Sequence, residues 1–108
     1  MNLVYDFKIN NIKIQEKTGF YISEEKYIQF NLTKTHKKIA YKEGDCDFFW
    51  LNCPNDKNFL IIPEKLLVDK TTFRINIVPI YSSIPWYRQY LFDYTNLDKN
   101  NIYKTLGV

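Results

Sequence analysis

Hydrophobic and polar residues alternate cleanly at the start of the chain. Leu3, Tyr5, Phe7 and Ile9 fall on one side of a period of two, and Val4, Asp6 and Lys8 on the other. The alternation resumes over residues 12–17, where Ile12 and Ile14 oppose Lys13, Gln15 and Lys17. Such alternation suits a strand with one buried face. Asn10-Asn11 separates the runs, and asparagine tolerates the positive φ that a two-residue hairpin turn imposes. The pattern therefore predicts an N-terminal hairpin over residues 3–17.

Residues 27–32, Tyr-Ile-Gln-Phe-Asn-Leu, also have strand composition and period two. A polar, basic loop is expected at 33–38 and a turn at Lys42-Glu43-Gly44. Residues 47–53 are almost continuously apolar, as in a strand covered on both faces. A turn cluster at 54–58 leads into a strand at 59–62, and Pro63 suits the first position of a short helix over 63–68. Residues 73–80 alternate as a last strand, while 86–92 and 97–106 read as short helices, with Gly107 as the stop. Strands first and short helices late predict a twisted mixed sheet with helices packed on it, in the α/β to α+β range.

A chain of 108 residues is one domain's worth, so residues 1–108 are expected to share one core. No apolar run approaches the ~20 residues that span a bilayer. Asp6 interrupts the first apolar stretch and no small-residue cleavage site follows, so no secretory signal is read and an intracellular setting is expected. Aromatic residues at 18% with 3 glycines exclude a low-complexity chain. The bias towards Lys, Asn, Ile, Tyr and Phe, with Ala40 the only alanine, follows A/T-rich codons and reports genome composition before function. Cys46, Cys53 and one histidine are too few for a zinc site and read as reduced, partly buried thiols. A net charge of +3 is compatible with nucleic acid without singling it out.

The chemistry lies in the hairpin. A turn at Asn10-Asn11 pairs Ile9 with Ile12, Lys8 with Lys13, Asp6 with Gln15 and Val4 with Lys17. Asp6 and Gln15 become cross-strand neighbours about 5 Å apart at Cβ, with Lys17 further along the same face. A carboxylate, a carboxamide oxygen and the main-chain carbonyl of Glu16 are hard oxygen donors suited to Mg²⁺. A lysine beside that ion can orient a water and offset charge at a reacting phosphorus. Spacing by itself also describes the solvated face of any hairpin.

Asp6 followed by Gln15-Glu16-Lys17 resembles the PD-(D/E)XK nuclease motif, in the variant with glutamine before X-Lys. Tyr41-Lys42-Glu43-Gly44-Asp45-Cys46-Asp47-Phe48-Phe49-Trp50 is similar to the turn and buried strand that follow in intron-encoded group I nucleases of this superfamily. Phe59-Leu60-Ile61-Ile62-Pro63 and Tyr90-Leu91-Phe92-Asp93-Tyr94 resemble the C-terminal half of such domains in large-DNA-virus and intron-borne proteins. The resemblance implies a restriction-endonuclease-like fold and Mg²⁺-dependent hydrolysis of double-stranded DNA. It implies Asp6 and Gln15 as metal ligands and Lys17 as the catalytic lysine, with Asp47 structural or beside the site and Asp45 a weaker candidate. The superfamily usually opens with a helix that packs on the sheet and often supplies a glutamate. Here the first strand starts close to Met1. The expectation is a shortened gene, a piece of a larger parent chain, or a homo-oligomer covering the face.

Lys34, His36, Lys37 and Lys38 could grip phosphates through charge, or simply be a solvated loop. Tyr81, Trp86, Tyr87, Tyr90, Phe92 and Tyr94 could stack on bases, but Trp86, Tyr90 and Phe92 are expected to close the core over the late helices. Beside the nuclease stand two other readings. One is a catalytically inactive DNA-binding or assembly module that keeps the nuclease fold. The other is a viral structural or protein-interaction domain.

Overall fold

The Asn10-Asn11 turn forms as the pattern predicts, with Asn10 at φ 55°. Phe7 pairs with Ile14, Lys8 with Lys13 and Ile9 with Ile12, the predicted register. The computed structural model describes residues 7–22, 24, 27–34, 39–40, 44–55, 57–76 and 85–107. Their strands are β1 (Phe7–Ile9), β2 (Ile12–Thr18), β3 (Phe20–Ile22), β4 (Tyr27–Asn31), β5 (Thr33–Lys34), β6 (Ile39–Ala40), β7 (Phe48–Asn52), β8 (Asn58–Pro63), β9 (Thr72–Asn76) and β10 (Leu91–Asp93). One α-helix, α1 (Lys99–Leu106), and short 3-10 turns complete this mixed α+β architecture.

The main sheet has the order β1-β2-β7-β8-β10, and a smaller sheet has the order β3-β4-β9. Only β2 and β7 run parallel in the main sheet, with Gln15 opposite Phe49 and Lys17 opposite Leu51. Each face of the main sheet buries a core. Phe49, Leu51, Leu60 and Ile62 meet Ile28, Phe30, Phe73 and Ile75 of the smaller sheet. On the other face Ile14, Phe59 and Ile61 meet Leu106 of α1, with Trp50, Phe92 and Ile102 packed against them. The apolar run around β7 is thus covered on both sides, as predicted. Asp98 caps α1 by accepting from the backbone N–H groups of Asn100 and Asn101, and Gly107 closes it at φ 77°. Among the described residues no helix is long and apolar enough to cross a membrane.

Several elements differ from the pattern. The three residues of β3 were too few to register as a period, yet they pair antiparallel with β4. Thr33 and Lys34, expected in a loop, pair with Ala40 and Ile39 as a ribbon. The expected helix over 63–68 contracts to one 3-10 turn, Glu64–Leu66, behind Pro63. Trp86–Tyr90 is likewise 3-10, and Phe92, assigned to that helix, is instead a strand residue paired with Phe59. The pairing wins because β8 offers an open edge to the chain there. Of the strand expected over 73–80, residues 77–80 lie outside the described residues, as do residues 3–6 of the hairpin.

Between β2 and β3 the chain passes from one sheet to the other through Gly19, whose N–H donates to the Asn52 carbonyl at 2.9 Å. A Cβ at this position would lie 2.7 Å from both Ile28 Cγ2 and Phe30 Cε1. Ile28 and Phe30 are themselves locked in the core, so neither can retreat without strain. Gly19→Ala should therefore cost about 1–3 kcal/mol, read as a lower urea midpoint at unchanged m-value.

Candidate active site

Strand alternation and the β2–β7 register put Gln15 and Lys17 on the face shared with Phe49 and Leu51, between the sheets. This is where the structure refines the pattern. The polar face of the hairpin is not simply solvated, because its neighbour in the sheet is the largest core. Gln15 is only 8% exposed and Lys17 is half-buried. Burying such groups is costly unless they are hydrogen-bonded. Lys17 Nζ donates to the Thr33 carbonyl at 3.0 Å, which ties the catalytic candidate to the chain leaving β4. Gln15 Nε2 reaches the Glu16 carbonyl through a long contact of 3.4 Å.

The Glu16 side chain points to the opposite face, as alternation requires, and its charge reaches the edge. Asn52 Nδ2 donates to Glu16 Oε1 at 2.6 Å. Tyr94 Oη in turn donates to Asn52 Oδ1 at 2.5 Å, and Trp50 Nε1 donates to Tyr94 Oη at 3.2 Å. This chain of bonds fixes the residue whose carbonyl faces Gln15. Its bonded pairs lie up to 44 positions apart, so no local signal in the sequence foretold it.

Asp47 has a structural task. Its Oδ2 accepts from the Lys13 backbone N–H at 2.7 Å, while its own N–H donates to the Lys13 carbonyl at 2.8 Å. It thus clamps the start of β2 to the entry of β7. Lys13 Nζ donates to the Gly44 carbonyl at 2.8 Å, closing the same corner. Asp45 is half-buried nearby. Glu64, which sequence reasoning passed over, is buried, and its backbone N–H donates to the Asp47 carbonyl at 3.0 Å. The Ile-Pro sequence before it was the available signal, because it places residue 64 at the start of a helical turn.

Both cysteines are free and buried. Burial, followed by the charges of Glu64, Asp47 and Asp45, pushes the Cys46 thiol up to about 12, with Lys13 opposing. Burial alone raises Cys53 to about 11. An unfolded thiol ionises near 8.5, so the folded chain releases its protons later than the unfolded one. Their contribution to stability is full below about pH 8.5 and is lost as pH rises towards the folded values. Urea midpoints should fall between pH 8 and about pH 10, and a thiol reagent at pH 8 should label the native chain only slowly.

Asp6 lies outside the described residues, as do His36, Lys37 and Lys38; of Lys34 only the backbone is described. Of the metal ligands and catalytic lysine expected from the sequence, the described residues are Gln15, Glu16 and Lys17, with Gln15 and Lys17 on one face of β2. Among the described residues no group of three His, Cys, Asp and Glu side chains is placed to hold a metal ion.

A solved structure shares this fold along nearly the whole chain. It is a bacterial homing endonuclease, I-Ssp6803I, with a TM-score of 0.66, 14% sequence identity, and coverage of 99% of this chain and 73% of that one. The two chains share a fold. No protein-family model matches the chain, and no curated protein matches it.

The donor chemistry fits a hard divalent cation. A half-turn of the Gln15 terminal amide exchanges its nitrogen for its oxygen. That oxygen would then face the Glu16 carbonyl, an arrangement two acceptors tolerate only around a shared cation or a bridging water. The late aromatics divide differently from expectation. Tyr87 and Tyr90 pack on the inter-sheet core and Phe92 on the helix side, whereas Trp86 stays 48% exposed.

Proposed function

We propose that this chain is a Mg²⁺-dependent endonuclease of the PD-(D/E)XK type, working inside a cell as one nuclease-like unit on double-stranded DNA. The observation that carries this reading is Gln15 and Lys17 side by side on the inter-sheet face of an endonuclease fold. Asp6, the Gln15 carboxamide and the Glu16 carbonyl would hold the ion. When bound, it supplies Lewis-acid polarisation of the scissile phosphate. Lys17 places its ammonium beside the attacking water and the charge that develops on the phosphate oxygens. Asn52 and Tyr94 hold Glu16 from behind, and Asp47 holds β2 in register. Phosphates are gripped by Lys34, His36, Lys37 and Lys38, which would make binding fall steeply with salt.

The test is plasmid and linear-duplex cleavage by the purified chain in Mg²⁺ and in EDTA. Cutting is expected only with Mg²⁺, and Asp6→Ala and Gln15→Ala should each remove it while leaving a gel shift in place. Equal cutting by all three proteins would mark a contaminant and overturn the proposal. A salt-sensitive shift with no cleavage by the native chain would instead identify an inactive DNA-binding module.

A further inference from the structure

The smaller sheet has an outer face that the active site does not use. Inward residues of β4 and β9, among them Phe30 and Phe73, belong to the core. The alternating outward positions are Tyr27, Gln29 and Asn31 on β4 and Thr72, Arg74 and Asn76 on β9. Register places Gln29 opposite Arg74 and Asn31 opposite Thr72. Arg74 Nε donates to Gln29 Oε1 at 2.8 Å, and Gln29 Nε2 donates to Asn31 Oδ1 at 3.2 Å. These bonds lay the guanidinium and two carboxamides in a ladder across the strands. None of the residues of β3, β4 and β9 is acidic. Phe20 and Tyr27, 41% and 39% exposed, add aromatic surface at the margin.

We infer that the outer face of β4 and β9 enters the major groove and reads base edges, with Arg74, Gln29 and Asn31 as the specificity-determining residues. This inference rests on the nuclease reading above and names how its substrate would be selected. The chemistry matches base edges: arginine pairs with guanine O6 and N7, and asparagine or glutamine pairs with adenine N6 and N7. Threonine methyls and aromatic rings suit the thymine methyl. Dimensions match as well. The three strands, set about 4.8 Å apart, span about 10 Å from the first axis to the last, against a groove about 12 Å wide. Successive outward residues lie ~6.7 Å apart, close to two base steps of ~3.4 Å each. A protein partner would be better served by an apolar centre than by a ladder of amides and one cation.

The same face is mechanically joined to the site. β2 continues through Gly19 into β3, and Asn31 precedes by two residues the Thr33 whose carbonyl holds Lys17. Groove contacts at Asn31 would therefore set the position of the lysine relative to the scissile phosphate.

The experiment is selection from a pool of duplexes carrying a randomised stretch, run in EDTA so that no strand is cut. The native chain should enrich a motif. Arg74→Ala, Gln29→Ala and Asn31→Ala should each relax it at separate positions, lowering the preference for the selected over the random duplex about tenfold or more. Binding to random duplex should change far less. Arg74→Lys, which keeps the charge but not the planar fork, should relax the motif like alanine. Thermal midpoints of these surface variants are measured alongside to confirm folding. An enriched motif that survives all the substitutions overturns the inference and leaves the nuclease reading standing. A uniform loss across every sequence does the same, because it marks phosphate contacts. Shifts with no motif at all also overturn it, whereas absence of both shift and cleavage overturns the nuclease reading itself.

Discussion

Lys17→Met should lower Mg²⁺-dependent cleavage of duplex DNA by about 10²–10³-fold, the loss seen when one preorganised donor to a developing oxyanion is removed. Methionine keeps the half-buried aliphatic stem and removes only the ammonium group. The structural cost includes the bond from Nζ to the Thr33 carbonyl, worth about 1 kcal/mol. That separation makes the result decisive. Single-turnover cleavage under excess enzyme reads the chemical step, and a gel shift at fixed salt reads binding. The chemical step should collapse while the shift changes by no more than about twofold, since one cation contributes little to a multi-phosphate contact. Lys17→Arg should not rescue the rate, because a planar guanidinium cannot occupy the place of a compact ammonium between the sheets. A Lys17→Met protein that cuts as fast as the native chain would remove Lys17 from the chemistry and leave it a structural role, of which the bond to Thr33 is part.

The hairpin was legible because both of its determinants are local. Asn10 accepts a positive φ, and the two-residue period fixes which side chains share a face. The neighbours of that hairpin were not legible. Parallel pairing of β2 with β7 joins residues 34 apart at Ile14 and Phe48, and nothing in either segment names the other. Yet that pairing changes the meaning of the site. It places Gln15 beside Phe49, so a residue that reads as solvated is buried at 8% exposure. The same non-local logic hides β3 and β10. Each has three residues, too few for a period, and each exists because a longer strand presents an edge to it. Phe92 is the clearest case, since the run around it looks helical until Phe59 stands opposite. The outward ladder of Gln29, Asn31 and Arg74 was in view as alternation within single strands. Only the β4–β9 register shows that its members touch.

Phe59→Ala should be the most destabilising single substitution among the aromatic positions, at about 3–5 kcal/mol. Phe59 is fully buried, and its ring stacks on Trp50 at 4.8 Å and Phe92 at 5.4 Å, with Tyr94 tilted against it at 4.3 Å. The surrounding rings are held by two different strands and a turn, so they cannot collapse into the space left behind. For a domain of this size the loss corresponds to a fall in Tm of roughly 15–25 °C. Phe59→Leu separates the two contributions, because it keeps most of the volume and gives up the ring stacking, which is worth about 0.5–1.5 kcal/mol per pair. Its loss should be about half as large. The consequence for function is distinct from that of Lys17. Tyr94 leans on Phe59 and passes its hydroxyl to Asn52, which holds the Glu16 side chain. In the cold, where Phe59→Ala is still folded, cleavage should therefore fall only several-fold, and raising Mg²⁺ should recover part of it by compensating for a loosened Glu16 carbonyl. Lys17→Met offers no such recovery, because no concentration of the ion replaces the ammonium. A Phe59→Ala protein whose deficit does not respond to Mg²⁺ would show that the Trp50–Tyr94–Asn52 chain supports the sheet and not the donor set.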